Sequence, residues 1–182
     1  MNKKIMILAI SIPILCLFIV IVCIMLPWIT IGIGIALQPN PPTPEIKYGE
    51  FPFKLTYEIN GEEKIVEDTI ICKFEGFGAD EGRGKYRKWK MYLASDNKED
   101  KVFLLNVDKT TNIFYTIGSA EYYMNDIVNG WHVSDYSIVS FDAIFVKSNG
   151  LSGTVRAIEL LSEYGIRIIS FSSSDPIINN FK

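Results

Sequence analysis

The chain has very little histidine and cysteine, and this limits the chemistry that it can carry. The single histidine, His132, excludes zinc centres built from several histidines. Of the three cysteines, Cys16 and Cys23 lie in an apolar segment and only Cys72 lies beyond it, which excludes C-x-x-C sites and an internal disulfide there. Cys72 stands in an apolar run, so we interpret it as a core residue, although a Cys72/His132 dyad stays formally open. We expect no metal and no cofactor.

Two common catalytic or phosphate-binding motifs are also missing. No G-x-S-x-G nucleophile elbow occurs. The glycine-rich residues 76–84 lack the Walker arrangement, because Gly78 and Gly84 are one residue too far apart and Tyr86 replaces the Ser or Thr that holds magnesium. We therefore interpret this stretch as a loop in which glycines provide positive φ.

Charge is nearly absent from the start of the chain, where Lys3 and Lys4 are the only charged residues before Glu45. Residues 5–37 form an uncharged run of 33 residues, which is long enough to cross a bilayer as a helix. We predict an uncleaved anchor over residues 1–37, with the bilayer span at about residues 5–26. The two lysines place the N-terminus in the cytoplasm by the positive-inside rule. The remainder of the chain then lies outside the cytoplasm.

A cleavable signal peptide is the alternative interpretation of this segment. Residues 34–36 resemble a small-x-small cleavage site, and cleavage there produces a mature chain that starts at Leu37. The apolar core of a signal peptide is usually about 7 to 15 residues long, and the uncharged run is at least twice that length. The length favours the anchor, whose partner is the lipid bilayer.

A proline-rich linker over residues 38–47 separates the anchor from a domain over residues 48–182. The linker's QPNPPTP run favours polyproline II, at about 3.1 Å per residue. Alternating apolar and polar residues predict strands over residues 51–59, 63–74, 86–94, 102–107, 113–117, 137–146 and 166–171. Asn60-Gly61 predicts a hairpin turn, and helices are predicted over residues 120–124 and 155–164. The fold class is α+β, a mainly antiparallel sheet with one longer C-terminal helix and a short helix.

The domain is acidic as a whole. With Lys3 and Lys4 removed, 16 cationic residues remain against 21 acidic ones. Nucleic-acid binding requires a net positive surface, so we expect no nucleic-acid partner. Any anion site has to be a local patch.

One local patch stands out, because residues 83–90 (RGKYRKWK) carry five cations in eight positions. On a strand, Trp89, Met91 and Leu93 share one face, and the opposite face is basic and aromatic. Such a surface suits an anionic polymer, a lipid headgroup or a glycan. The candidate binding residues for an anionic ligand are Arg83, Lys85, Tyr86, Lys88, Lys90 and Tyr92. The alternative is cross-strand pairing with Glu62, Glu63, Glu67 and Asp68.

Three stretches, PEIKYGEFPFKLTYEINGE (residues 44–62), GKYRKWK (residues 84–90) and GSAEYYM (residues 118–124), together with the anchor and the proline spacer, resemble an uncharacterised family. Its members are small single-pass membrane-anchored proteins of Gram-positive bacteria. The resemblance covers most of the chain. It implies a location in the cell membrane and implies no activity or catalytic residue.

The function expected from these features is a binding or interaction module at the bacterial cell surface. A membrane-anchored hydrolase that acts on wall or lipid material through carboxylates such as Asp80 and Glu81 is the rival from another class. A third possibility is an accessory subunit whose anchor helix pairs with another membrane protein. A hydrolase needs a concave site with a strongly perturbed acid, whereas a binding module needs a continuous basic and aromatic face.

Overall fold

The computed structural model describes residues 3–109, 111–126, 144–148, 151–155 and 157–182. An N-terminal helix, α1 (Lys3–Leu37), precedes an α+β domain, which confirms the predicted fold class. The domain contains β1 (Tyr48–Ile59), β2 (Glu62–Asp80), β3 (Gly84–Leu93), β4 (Lys101–Asn106), β5 (Thr111–Thr116), α2 (Ala120–Tyr123), β6 (Ile144–Ser148), β7 (Leu151–Val155), α3 (Ala157–Tyr164) and β8 (Ile166–Ser173).

Helix α1 is 35 residues long and continues through Pro13 and Pro27. Its segment Ile12–Leu37 has a mean hydropathy of 3.0, and none of its residues is buried in the protein. At 1.5 Å per residue these 26 residues extend about 39 Å, which exceeds the ~30 Å hydrocarbon layer. The helix is therefore long and apolar enough to anchor the chain in a bilayer by a single pass.

The strands form two four-stranded sheets, in the orders β3-β2-β1-β8 and β4-β5-β6-β7. Adjacent strands β1 and β2, β1 and β8, β4 and β5, β5 and β6, and β6 and β7 run antiparallel. The turn between β1 and β2 places Asn60 and Gly61 at positive φ, as the Asn-Gly pair predicts. The alternation in β1 is also confirmed, since Phe53, Leu55 and Tyr57 are all buried.

The core of the domain contains side chains from both sheets and from the short helices. Phe51 stacks 4.8 Å from Tyr123, and Tyr115 lies 5.4 Å from Phe171, both measured between ring centroids. Ser119 caps α2, and its hydroxyl accepts a hydrogen bond from the backbone nitrogen of Tyr122 at 3.2 Å.

Three predictions about the elements are corrected by the structure. Residues 76–84, predicted as a loop, lie mostly in β2, and only residues 81–83 form the turn to β3. The predicted C-terminal helix over residues 155–164 is short, because β7 extends to Val155 and α3 has only eight residues. The consecutive strands predicted over residues 86–94, 102–107 and 113–117 do not share one sheet, because β3 belongs to one sheet and β4 and β5 to the other. The first seven residues of the predicted strand 137–146 lie outside the described residues.

The end of the proline-rich linker is part of the domain. The backbone nitrogen of Thr43 donates to the carbonyl of Lys182 at 2.6 Å, and that of Glu45 donates to Asn180 at 2.8 Å. Pro44 forms a bridge with Phe181. The free part of the predicted spacer is correspondingly shorter.

The chain divides into two compact units. The first contains Met1–Pro41 and Phe77–Arg87, and the second contains Pro42–Gly76 and Lys88–Lys182. The β2-β3 hairpin contributes to both. We call Phe77–Arg87 the tip arm, and we call the hairpin residues 73–76 and 88–92 the hairpin base.

Candidate functional site

Strand β3 has two chemically different faces in the hairpin base. Trp89 and Leu93 are buried, and Met91 packs against the same core. Lys88 and Lys90, which alternate with these residues along the strand, point to solvent. The period-2 pattern therefore places these side chains on the faces that the sequence predicts.

Trp89 fixes β3 to the core through two contacts. Its ring packs edge-on against Phe74 at 5.3 Å between centroids, and its Nε1 donates a hydrogen bond to Oδ2 of Asp126 at 2.6 Å. Asp126 is itself buried, so this charge-assisted bond lies away from water. No sequence pattern points to Asp126, because the partner of a buried indole depends on tertiary packing.

The exposed face of the hairpin base is a lysine cluster around one carboxylate. Lys88 Nζ lies 3.0 Å from a carboxylate oxygen of Glu75. The hydrogen bond from Lys88 is the largest cause that lowers the pKa of Glu75, and the positive charges of Lys90 and Lys73 lower it further. Three cations therefore act on one acid at this surface.

Three of these residues, Lys73, Glu75 and Lys90, line an open depression beside Lys88, which we call the lysine depression. Its volume is about 390 Å³, and its walls are Lys73, Phe74, Glu75, Lys90 and Tyr92. Lys90 Nζ lies 5.6 Å from the centre of the Tyr92 ring, within the range of a cation–π contact. Lys73 and Glu75 were missed by the sequence analysis because they lie on β2, and only the strand pairing places them beside β3.

A second depression, of about 510 Å³, has a different charge character. It is lined by Pro52, Phe53, Lys54, Glu67, Asp68, Thr69, Ser172 and Ser173. Its single lysine, Lys54, is paired with Glu67 at 2.8 Å, and Asp68 leaves an acidic excess. Although it is larger, it is the poorer candidate for an anionic ligand.

The other predicted binding residues, Arg83, Lys85 and Tyr86, belong to the tip arm. The Arg83 guanidinium lies 3.9 Å from the centre of the Tyr86 ring and 2.7 Å from Oδ2 of Asp80. The backbone nitrogen of Lys85 donates to the side-chain oxygen of Gln38 at 3.4 Å. Lys88, Lys90 and Tyr92 belong to the second unit, so the six predicted residues are divided between the two units.

Lysines and acidic side chains do form ion pairs here, but Glu75, which lies 3.0 Å from Lys88, is not one of the four predicted acids. Glu67 pairs with Lys54 and Glu62 pairs with Lys64 at 2.8 Å, whereas Lys88 pairs with Glu75. The register of β1 and β2, which places Lys54 opposite Glu67, explains the first pair. Sequence distance alone does not identify such partners.

Neither Cys72 nor Asp80 lies in surroundings that favour a catalytic role. Cys72 is fully buried, and this desolvation raises the pKa of its thiol to about 12. Hydrogen bonds from Arg83 to Asp80 lower the pKa of that carboxyl, which makes it a poor proton donor. His132 lies outside the described residues. Within the described part of the chain, no group of three or more His, Cys, Asp or Glu residues is placed to hold a metal ion.

Comparison of the chain with known protein families, with curated proteins and with solved structures finds no match. The resemblance to a Gram-positive membrane-protein family therefore stays a prediction, and the chemistry of the site has to be argued from its own residues.

Proposed function

We propose that the protein is a membrane-tethered, extracytoplasmic binding module that holds an anionic polymer at the lysine depression. The anchor is α1, and the two lysines that precede its apolar run favour a cytoplasmic N-terminus. The domain then faces the outside of the cell membrane, where phosphate-bearing polymers are available as ligands.

The observation that carries the proposal is the cationic and aromatic surface of the lysine depression. Lys73 and Lys90 provide charge for phosphate groups, and Tyr92 provides an aromatic wall beside them. The depression is open, which suits a repeating polymer better than a small enclosed substrate.

The local charge differs in sign from that of the surrounding domain. Residues 73–90 contain six cationic and three acidic residues, whereas the remainder of the chain after residue 44 contains ten and eighteen. An anionic ligand is therefore attracted to the hairpin and repelled by most of the remaining surface.

Binding of polyphosphate to the full chain in nanodiscs of zwitterionic lipid tests the proposal. Lys88→Glu combined with Lys90→Glu should weaken binding at least about tenfold, because two attractive charges become repulsive. It should also abolish the decrease in affinity with added salt. Isothermal titration calorimetry at two salt concentrations measures both effects.

The matched control is Lys64→Glu with Lys98→Glu, which makes the same change in charge away from the depression. This control should retain most of the affinity. Equal loss in both double variants, or no binding by the parent chain, would refute the proposal. Release of orthophosphate from the polymer during the titration would instead identify the hydrolase that the sequence leaves open.

A further inference from the structure

The tip arm contacts the residue that directly follows the membrane helix. Gln38 is next to Leu37, the last residue of α1, and its side-chain oxygen accepts the backbone N–H of Lys85 at 3.4 Å. A Cβ atom at Gly84 would lie only 2.6 Å from the same oxygen. Gly84, at a φ of +69°, therefore permits this close approach, and the arm lies at the C-terminal end of the helix.

The conformation of the tip arm is defined by contacts among its own residues. Asp80 Oδ1 accepts hydrogen bonds from the backbone nitrogens of Gly82 at 3.0 Å and Arg83 at 2.8 Å, which closes the turn. The Tyr86 ring lies against Gly78 so closely that a Cβ there would overlap it. Arg83 covers the same ring at 3.9 Å. The turn, the Tyr86 ring and the Arg83 guanidinium thus pack together as one ordered surface.

The tip arm is exposed or half-buried along its whole length, and it is net positive. None of its 11 residues is buried, and Phe77 is 38% exposed. Arg83, Lys85 and Arg87 outnumber Asp80 and Glu81.

The length of the anchor sets the level at which the arm lies. The uncharged residues 5–37 extend about 50 Å as a helix, so when the helix is centred in the ~30 Å hydrocarbon layer its end lies about 10 Å beyond that layer, at the level of the headgroups. A segment hydrogen-bonded to Gln38 is then within about one Debye length, ~8 to 10 Å, of the lipid phosphates.

We propose that the tip arm docks on anionic phospholipid headgroups beside its own anchor, through Arg83, Lys85 and Arg87. Charge complementarity and continuity with the membrane-embedded helix both identify the lipid surface as the occupant. The docking restrains the hairpin at the membrane surface. The inference rests on the membrane anchoring in the proposed function but uses none of the residues of the lysine depression.

Amide hydrogen exchange of the full chain in nanodiscs tests this inference. One set of discs contains phosphatidylcholine alone, and the other contains about a quarter phosphatidylglycerol. Exchange over residues 77–87 should slow at least about fivefold in the anionic discs, since one cation near such a surface contributes about that factor. The triple variant Arg83→Gln, Lys85→Gln, Arg87→Gln should lose the difference, and about 0.5 M salt should reduce it.

The matched control is Lys64→Gln, Lys98→Gln, Lys182→Gln, which removes the same charge elsewhere and should keep the difference. Equal exchange of the arm in both kinds of disc, or protection that survives in the arm variant, would overturn the inference while leaving the anchor intact. Fast exchange over residues 12–37 in both discs would show that the anchoring itself is absent, and the inference would fall with it.

Discussion

The base and the tip arm of one β-hairpin are held in place by different forces. The base has Trp89 buried against Phe74 and bonded to Asp126. The tip arm has no buried residue, and it is shaped by the side chain of Asp80 and by Arg83 over Tyr86. Both halves present cations to solvent, so charge alone does not distinguish them.

The comparison shows how one hairpin provides two kinds of surface. The base can hold a rigid binding face, because its opposite face is anchored by apolar burial. The tip arm depends on exposed polar contacts, each of which contributes little to global stability. Substitutions of buried residues in the base should therefore destabilise the whole domain, and substitutions in the arm should change only local structure.

Trp89→Ala should have the largest effect on the hairpin base. Loss of the buried indole leaves a cavity and removes the bond to Asp126, so the free energy of unfolding should fall by about 3 to 5 kcal/mol. Urea unfolding of the full chain in micelles, followed by alkylation of Cys72 in a Cys16→Ser, Cys23→Ser background, measures it. The Cys72 thiol is buried, with its pKa raised to about 12, so it should react only when the domain opens.

Asp126→Ala should have a smaller effect in the same assay. It leaves the N–H of Trp89 buried without this acceptor, which costs about 1 to 3 kcal/mol. Asp126→Asn, which retains a hydrogen-bond acceptor, should cost less than the alanine variant. An alanine variant as stable as the parent would show that the bond does not hold the base.

Asp80→Ala should leave the free energy of unfolding unchanged within the error of a urea titration, because the tip arm has no buried residue. The turn itself should open, since the N–H groups of Gly82 and Arg83 lose their acceptor. Exchange of those two amides should increase while the midpoint of urea unfolding stays unchanged. A large shift in the midpoint would contradict the division between arm and base.

Acid should affect the tip arm with little effect on the core. Arg83 holds the pKa of Asp80 below its ordinary value of about 3.9, so the contribution of this pair is complete above about pH 4. It is lost as the pH falls through the lowered pKa. NMR spectra should show the amides of Gly82 and Arg83 shifting below about pH 4, with the methyl signals of the buried core unchanged. Simultaneous loss of both sets of signals would contradict the comparison.

The sequence predicted the features that depend on local pattern. The apolar run of α1, the Asn60-Gly61 turn and the alternation of Trp89 with Lys88 and Lys90 follow from the spacing of residues within one element. The glycines of residues 76–84 misled the prediction, because pairing within the hairpin overrides their weak strand preference.

The lysine depression itself could be predicted only in part. Lys90 and Tyr92 were recognised from the basic stretch, but Lys73 and Glu75 come from the neighbouring strand. Their contribution depends on the register of β2 against β3, which no pattern within either strand specifies. The division of the six predicted residues between two units likewise required the three-dimensional contacts.

The most direct test of the central claim is the affinity of Glu75→Gln for polyphosphate. The Glu75 carboxylate pairs with Lys88 at 3.0 Å and thus competes with an anionic ligand for this cation. Neutralisation of Glu75 should therefore raise the affinity for polyphosphate roughly twofold to fivefold. Glu63→Gln, which removes the same charge elsewhere, should leave the affinity within about twofold of the parent. A gain confined to Glu75→Gln supports an anion site at the lysine depression, because a misfolded variant would bind less. Unchanged or weaker binding by Glu75→Gln would contradict the account.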